Sequence, residues 1–227
     1  MTSFQLHEVL LIAVWLALVA IRYRKSTLVL TGGMFAVGLY AMFALIEHSV
    51  SMRQLGLATP ASWLATLLYS VGWLALMLAY SPVADWIATR LVAKPPNLRT
   101  FRTIQQSTAK LVLGIVVAWL LGGFLEELIL RGIVLQAVEA TMANAFPIAI
   151  AAVGAIIVAA LGAGILHLYQ GLRAAIIIAQ LSILFGVLFV ISGHNLWSVI
   201  LCHGFYDTIA FIRFARGTSR YSQLDAS

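Results

Sequence analysis

Apolar residues run along this chain in long blocks separated by short polar connections. A membrane-spanning helix needs about 20 apolar residues, with a range of roughly 17–25. Seven blocks meet or approach that length: 9–21, 28–46, 63–80, 111–138, 148–169, 172–191, and a last one that opens at Leu196 and fades into Arg213, Arg216 and Arg220. Residues 47–62 read as a short polar connection, 139–147 as a loop and Ser192-Gly193-His194-Asn195 as a tight turn. The least apolar stretch is 81–110, which holds Pro82, Asp85, Arg90, Lys94, Pro95, Pro96, Arg99, Arg102 and Lys110. Within it Trp86, Ile87, Leu91 and Val92 fall at helical spacing, which predicts an amphipathic helix lying on the membrane surface, with Asp85 in this loop region. Pro95-Pro96 ends that helix, because proline cannot donate the backbone hydrogen bond a helix interior needs. No strand pattern competes and no repeat is visible. The fold expected is all-α: a polytopic bundle of about seven transmembrane helices in one domain spanning residues 1–227.

Composition agrees. The chain is 62% hydrophobic and only 10% charged, against about 25% charged for a soluble domain; its mean hydropathy is +1.00. One cysteine, Cys202, excludes an internal disulfide and a multi-cysteine metal site. The net charge of +6 sits beside apolar spans, in residues 22–25, in 81–110, at Arg173 and in the C-terminal tail. The positive-inside rule accounts for that placement, so the partner is the lipid bilayer and not a nucleic acid. The rule puts those connections on the cytoplasmic side. The first block reads as a span, because no Lys or Arg precedes it and no A-x-A site ends it.

Charge inside the apolar blocks changes the picture. Gly122-Gly123-Phe124-Leu125-Glu126-Glu127-Leu128-Ile129-Leu130-Arg131-Gly132 lies in the fourth block. Each such charge costs roughly 2.5–3.5 kcal/mol at the centre of a membrane helix, and the whole chain has only 8 acidic residues. On a helix Glu127 and Arg131 are i,i+4 neighbours with the acid on the N-terminal side, the better order for pairing. Glu126 points about 100° away. One carboxylate is therefore held while the other stays free for chemistry. Further along, His167 closes the fifth block, and His203 and Asp207 share one face of the last helix. An aspartate there accepts from one histidine nitrogen and leaves the other to meet substrate or water.

Each element has a bland alternative. Glu127 and Arg131 can simply pin two helices, His167 can be a packed, hydrogen-bonded histidine, and His203–Asp207 can be structural. The alternatives weaken when all three occur in contiguous spans, since ionisable groups at membrane depth mark functional sites and two carboxylates with two histidines can activate water. Gly122, Gly123, Gly132, Gly162, Ala163 and Gly164 flank the same places and allow the close helix approach such a site needs.

The ordered set Glu126-Glu127-x-x-x-Arg131, His167, then His203-x-x-x-Asp207 resembles the CAAX-protease and bacteriocin-processing (CPBP, or Abi) family of intramembrane endopeptidases. The likeness covers residues 111–214, the core expected to carry the catalytic site in the last four helices, while 1–110 matches only in being membrane helices and a basic loop. Ala163 stands where the family's second motif has an aromatic residue, and Asp207 where asparagine is common. The resemblance implies hydrolysis of a peptide bond in a protein or peptide substrate at a membrane, expected to be the plasma membrane of a bacterium. It implies Glu126 as the general base toward water, Glu127 and Arg131 as its support, His167 and His203 as groups that orient water or stabilise the oxyanion, and Asp207 as the residue holding His203.

A zinc site built from Glu126, His167 and His203 is the metal-dependent alternative. The H-E-x-x-H pairing of zincins is absent and the metal-free, glutamic-type reading is favoured, with no cofactor expected. Two other function classes compete: a non-catalytic bacteriocin-immunity or binding protein on the same scaffold, and a proton-coupled transporter, which would share its site between two repeated halves.

Overall fold

Every apolar block folds as a helix in the computed structural model, which describes residues 6–22 and 27–218; Arg24, Lys25 and Arg220, assigned above to basic connections, lie outside the described residues. The helices are α1 (Leu6–Arg22), α2 (Thr27–Ile46), α3 (Trp63–Leu91), α4 (Thr108–Met142), α5 (Ile148–Leu166), α6 (Leu172–Ile191) and α7 (Leu196–Ala215). No strand occurs among the described residues. Six are long and apolar enough to cross a membrane, and the apolar part of α1, Leu10–Ile21, is shorter. The protein is thus a multi-pass helical bundle.

The bundle is built around α4. All eight residues from Leu128 to Leu135 are buried, because α2, α5, α6 and α7 surround this stretch. The largest fully buried side chain among the described residues is Arg131, ahead of Phe189, Leu55 and Met77. Apolar residues such as Leu11, Leu64, Leu68, Leu113 and Leu161 face outward instead, as lipid contact requires. The interior therefore holds the charge and the exterior the hydrocarbon-matching surface.

Three boundaries differ from those the hydropathy suggests. First, α3 does not stop at Tyr80 to leave a surface helix; it runs unbroken through Pro82 to Leu91. At 29 residues it is about 43 Å long, more than the roughly 30 Å of hydrocarbon. Its inner face continues through buried Met77, Ala84, Asp85 and Ala88, and packing on α6 and α7 keeps it helical past the proline. Asp85 is thus helical and buried, not in a loop. Second, α4 continues through Glu139 to Met142, and buried Glu139 meets His194 at 2.9 Å. Third, α5 ends at Leu166, so His167 caps the helix and Leu168–Gln170 forms a single tight turn before α6.

The first three helices are not equivalent. A row of hydrogen bonds fastens α3 to α6 and α7: Ser70 Oγ donates to the Ser198 carbonyl (2.9 Å), Trp73 Nε1 to the Leu184 carbonyl (2.9 Å), and the Tyr206 hydroxyl to Ser81 Oγ (3.0 Å). The polar connection 47–62 also folds inward. Leu55 is fully buried, Leu196 N donates to the Gly56 carbonyl at 2.9 Å, and Gln136 Nε2 donates to the Gln54 carbonyl at 2.8 Å. It closes the bundle end at which α7 begins. Gly56 has φ +73°, and a Cβ there would lie 2.6 Å from the His194 carbonyl oxygen.

Glycines set the approach of α4 to α7. A Cβ on Gly123 would lie 3.6 Å from Gly204 Cα, so the two backbones touch. A Cβ on Gly204 would lie 2.5 Å from the Trp119 ring, which is fixed by Nε1 donating to Thr208 Oγ1 (3.0 Å) and by edge contact with Phe205. Gly204→Ala should therefore cost about 1–3 kcal/mol by overpacking, read as a lowered midpoint of thermal unfolding in detergent.

Candidate active site

The carboxylate pair sits on an unusual turn. From Trp119 to Glu126 and again from Leu128 to Leu135, α4 is π-helical, a wider winding that is rare and frequent at functional sites. Glu127 and Arg131 are paired as their spacing predicts: Nη1 lies 3.0 Å from Oε2 and 3.2 Å from Oε1, with both side chains sealed from solvent. A buried ion pair persists only if its other polar atoms are satisfied as well. Here α6 supplies part of what is needed, and Arg131 Nε is left without a hydrogen-bond partner. Arg131 Nη2 donates to the carbonyl and hydroxyl of Ser182, and its guanidinium lies 5.5 Å from the centre of the Phe185 ring.

His203, on α7, completes this group. Its Nδ1 lies 2.6 Å from Glu127 Oε1, and its ring stacks on Phe185 at 4.7 Å between centroids. The closer partner of His203 is thus Glu127, a contact between helices that the spacing along α7 does not show. Asp207 Oδ2 is 3.5 Å from the other nitrogen, Nε2. A hydrogen bond from Nδ1–H to Glu127 fixes the ring, because a carboxylate can only accept. It turns Nε2 toward Asp207 and Gly122. A Cβ on Gly122 would lie 3.0 Å from Asp207 Oδ2 and 3.5 Å from His203 Nε2, so the missing side chain leaves room beside that nitrogen.

Glu126 is the exception in the cluster. It is buried, 6% exposed, yet among the described residues its carboxylate has no hydrogen-bond or ion-pair partner. The division into one held and one free carboxylate is therefore present in the structure. Its charge acts on His203, Asp207 and Tyr169, which places it in the same group.

His167 reaches the group from the break between α5 and α6. Its Nδ1 is 2.9 Å from the Ala163 carbonyl oxygen, so Nδ1 carries the proton and Nε2 is left with its lone pair. His167 lies within electrostatic reach of Asp207, as do His203, Glu126 and Glu127. Tyr169 stacks beside His167 at 6.0 Å. Burial pushes the Tyr169 phenol up to about 12, with the Glu126 and Asp207 charges adding to the shift and a hydrogen bond from Gln170 opposing it.

Glu126, Glu127, Arg131, His167, His203 and Asp207 all lie in α4, α7 and the end of α5. Residues 108–209, which contain them all, match the family model described as Type II CAAX prenyl endopeptidase Rce1-like. This segment belongs to the CAAX-protease family. Comparison with curated proteins and with solved structures gives no match. The family supports an intramembrane protease, with a protein or peptide as substrate and the bilayer as surroundings.

In this CAAX-protease segment Ser182 and Phe185 are site residues that sequence reasoning missed. They sit three apart on one face of α6, and Ser182 is one of the few polar residues in that helix. A buried arginine needs acceptors beyond one carboxylate, so a lone serine in the facing apolar helix was the available signal. Tyr169 was visible only as a neighbour of His167. A metal ion would have to be held by Glu126, His167 and His203. Among the described residues no group of three or more His, Cys, Asp or Glu side chains is placed to hold one. His203 has both nitrogens turned to carboxylates, and His167 commits Nδ1 to a backbone carbonyl.

Proposed function

We propose that this protein is a glutamic-type intramembrane endopeptidase in which Glu126 activates the hydrolytic water. The observation that carries the reading is the contrast within one pair of neighbours: Glu127 is consumed by Arg131 and His203, while buried Glu126 has no partner among the described residues and lies within electrostatic reach of His203 and Asp207. A carboxylate without a counterion in a low-dielectric site is suited to take a proton from water.

In the proposed sequence Glu126 accepts that proton as the water oxygen attacks the scissile carbonyl. The carbonyl oxygen becomes an oxyanion, and an imidazole N–H of His203, aimed by Glu127, stabilises it. Glu126 then returns the proton to the departing amine, and the C–N bond breaks to give acid and amine products. His167 and Asp207 position the water. Glu127 keeps His203 aligned, Arg131 balances the charge of Glu127, and Ser182 with Phe185 fixes Arg131.

His167 and Tyr169 lie at the bundle end that also carries Arg173 and the basic segment 92–110, because Asn97 N donates to the Gln170 carbonyl there. On the positive-inside rule that end faces the cytoplasm, here proposed to be that of a bacterium. The opposite end is covered by residues 47–62. A membrane-anchored peptide presented from the basic end is therefore the substrate class proposed. The test uses purified protein and a library of quenched peptides, with and without chelator. Cleavage that survives chelation is expected. Loss of cleavage restored by zinc would move the site to a metalloprotease, and no cleavage of any peptide by an intact protein would favour a binding scaffold.

A further inference from the structure

His167 is the one histidine of the site that no helix holds. It follows the last residue of α5, and the chain from Leu168 to Gly171 is a single tight turn ending in a glycine at φ +100°. Something outside the turn must fix its geometry. Asp85 of α3 and Arg173 of α6 meet at that place: Oδ1 accepts from Arg173 Nη2 at 2.7 Å and from Nε at 3.2 Å. Both residues are buried, 7% exposed each. Arg173 is the second residue of α6, two beyond Gly171. A second tie comes from the chain just after α3, where Asn97 N donates to the Gln170 carbonyl at 2.7 Å. Gln170 Nε2 in turn donates to the Tyr169 hydroxyl at 2.7 Å, and Tyr169 stacks on His167.

We infer that Asp85 and Arg173 are positioning residues for the reaction: through their ion pair α3 holds the 167–171 turn and so sets where His167 stands in the site. The inference rests on the protease reading for its kinetic consequence, though not for its structural one. It gives α3, which lies outside the matched segment, a part in the chemistry. It also accounts for the unbroken run of α3 past Pro82, since Asp85 reaches Arg173 only if the helix continues. A structural ion pair alone would need no particular neighbour; this one adjoins the turn that carries a site histidine. Displacing a catalytic group by about 1 Å can cost about a hundredfold in rate.

The experiment uses the full chain in detergent, with Asp85→Asn, Arg173→Gln and the double variant. Each single variant breaks the buried ion pair from one side and is expected to unfold at a lower temperature. The double variant removes both charges and should regain most of that stability, since neutral replacement of a buried pair is often tolerated. Its kcat on a peptide cleaved by wild type should nevertheless stay down by about tenfold or more, with KM changed by less than about twofold. In protein labelled with 15N-histidine, the imidazole resonances of His167, assigned through His167→Gln, should shift in the double variant while those of His203 hold. A double variant as fast as wild type, or an unmoved His167 resonance, overturns the inference. If wild type itself cleaves no peptide, the protease reading fails alone, and the His167 resonance still decides whether the pair positions the turn.

Discussion

Glu126→Gln should abolish peptide cleavage while leaving the fold intact. The amide keeps the shape of the side chain and cannot take a proton from water, so the loss expected is that of a general base, about 10²- to 10⁴-fold in kcat. The stability effect should be small, because Glu126 has no ion-pair or hydrogen-bond partner among the described residues to lose. Removing an uncompensated buried charge can even raise the unfolding temperature. The matched variant Glu127→Gln should behave differently, since that side chain holds both Arg131 and His203. It should lower stability as well as activity. Measuring kcat and thermal unfolding on both variants separates the roles. Equal destabilisation by the two, or retained cleavage by Glu126→Gln, would refute the assignment of Glu126 as the base.

Arg131→Met should be the most destabilising single change in the site. Arg131 is the largest fully buried side chain among the described residues, and its removal leaves the Glu127 carboxylate, at 0% exposure, with His203 as its remaining partner. Breaking one side of a buried pair costs about 3–5 kcal/mol. Ser182 also loses its guanidinium partner. The double variant Arg131→Met with Glu127→Gln removes the stranded charge and should recover much of the stability in chemical or thermal unfolding. Activity should not return with it, because His203 would then face an amide where it now has an anion at 2.6 Å. Recovery of cleavage in the double variant would show that the Glu127–Arg131 pair is only a pin between helices.

The positions of most site residues were legible because ionisable groups in hydrocarbon are costly enough to stand out one by one. Glu127 and Arg131 could be paired from their i,i+4 spacing alone, and the structure joins them. The same spacing argument put Asp207 beside His203, where it lies at 3.5 Å, and missed Glu127. It weighed only the near neighbour Asp207 on the same helix, whereas a carboxylate from α4 approaches closer across the Gly123–Gly204 contact. Ser182, Phe185 and Arg173 carry no local pattern that announces a site. Asp85 was read as a loop residue because hydropathy falls after Tyr80, and hydropathy does not register that a polar side chain can be paid back by a partner 88 positions away.

Sequence by itself determined the class of the protein. Long apolar blocks with satisfied internal backbone hydrogen bonds can only be helices in a bilayer, and charge within three of those blocks marked where chemistry was to be sought. The tertiary structure decided which charges meet. It brought Glu127 as well as Asp207 to His203, carried α3 beyond its proline to bring Asp85 to Arg173, and left Glu126 without a partner among the described residues. These are contacts between helices distant in the chain, fixed by packing at glycines and small residues, and no local rule of spacing encodes them.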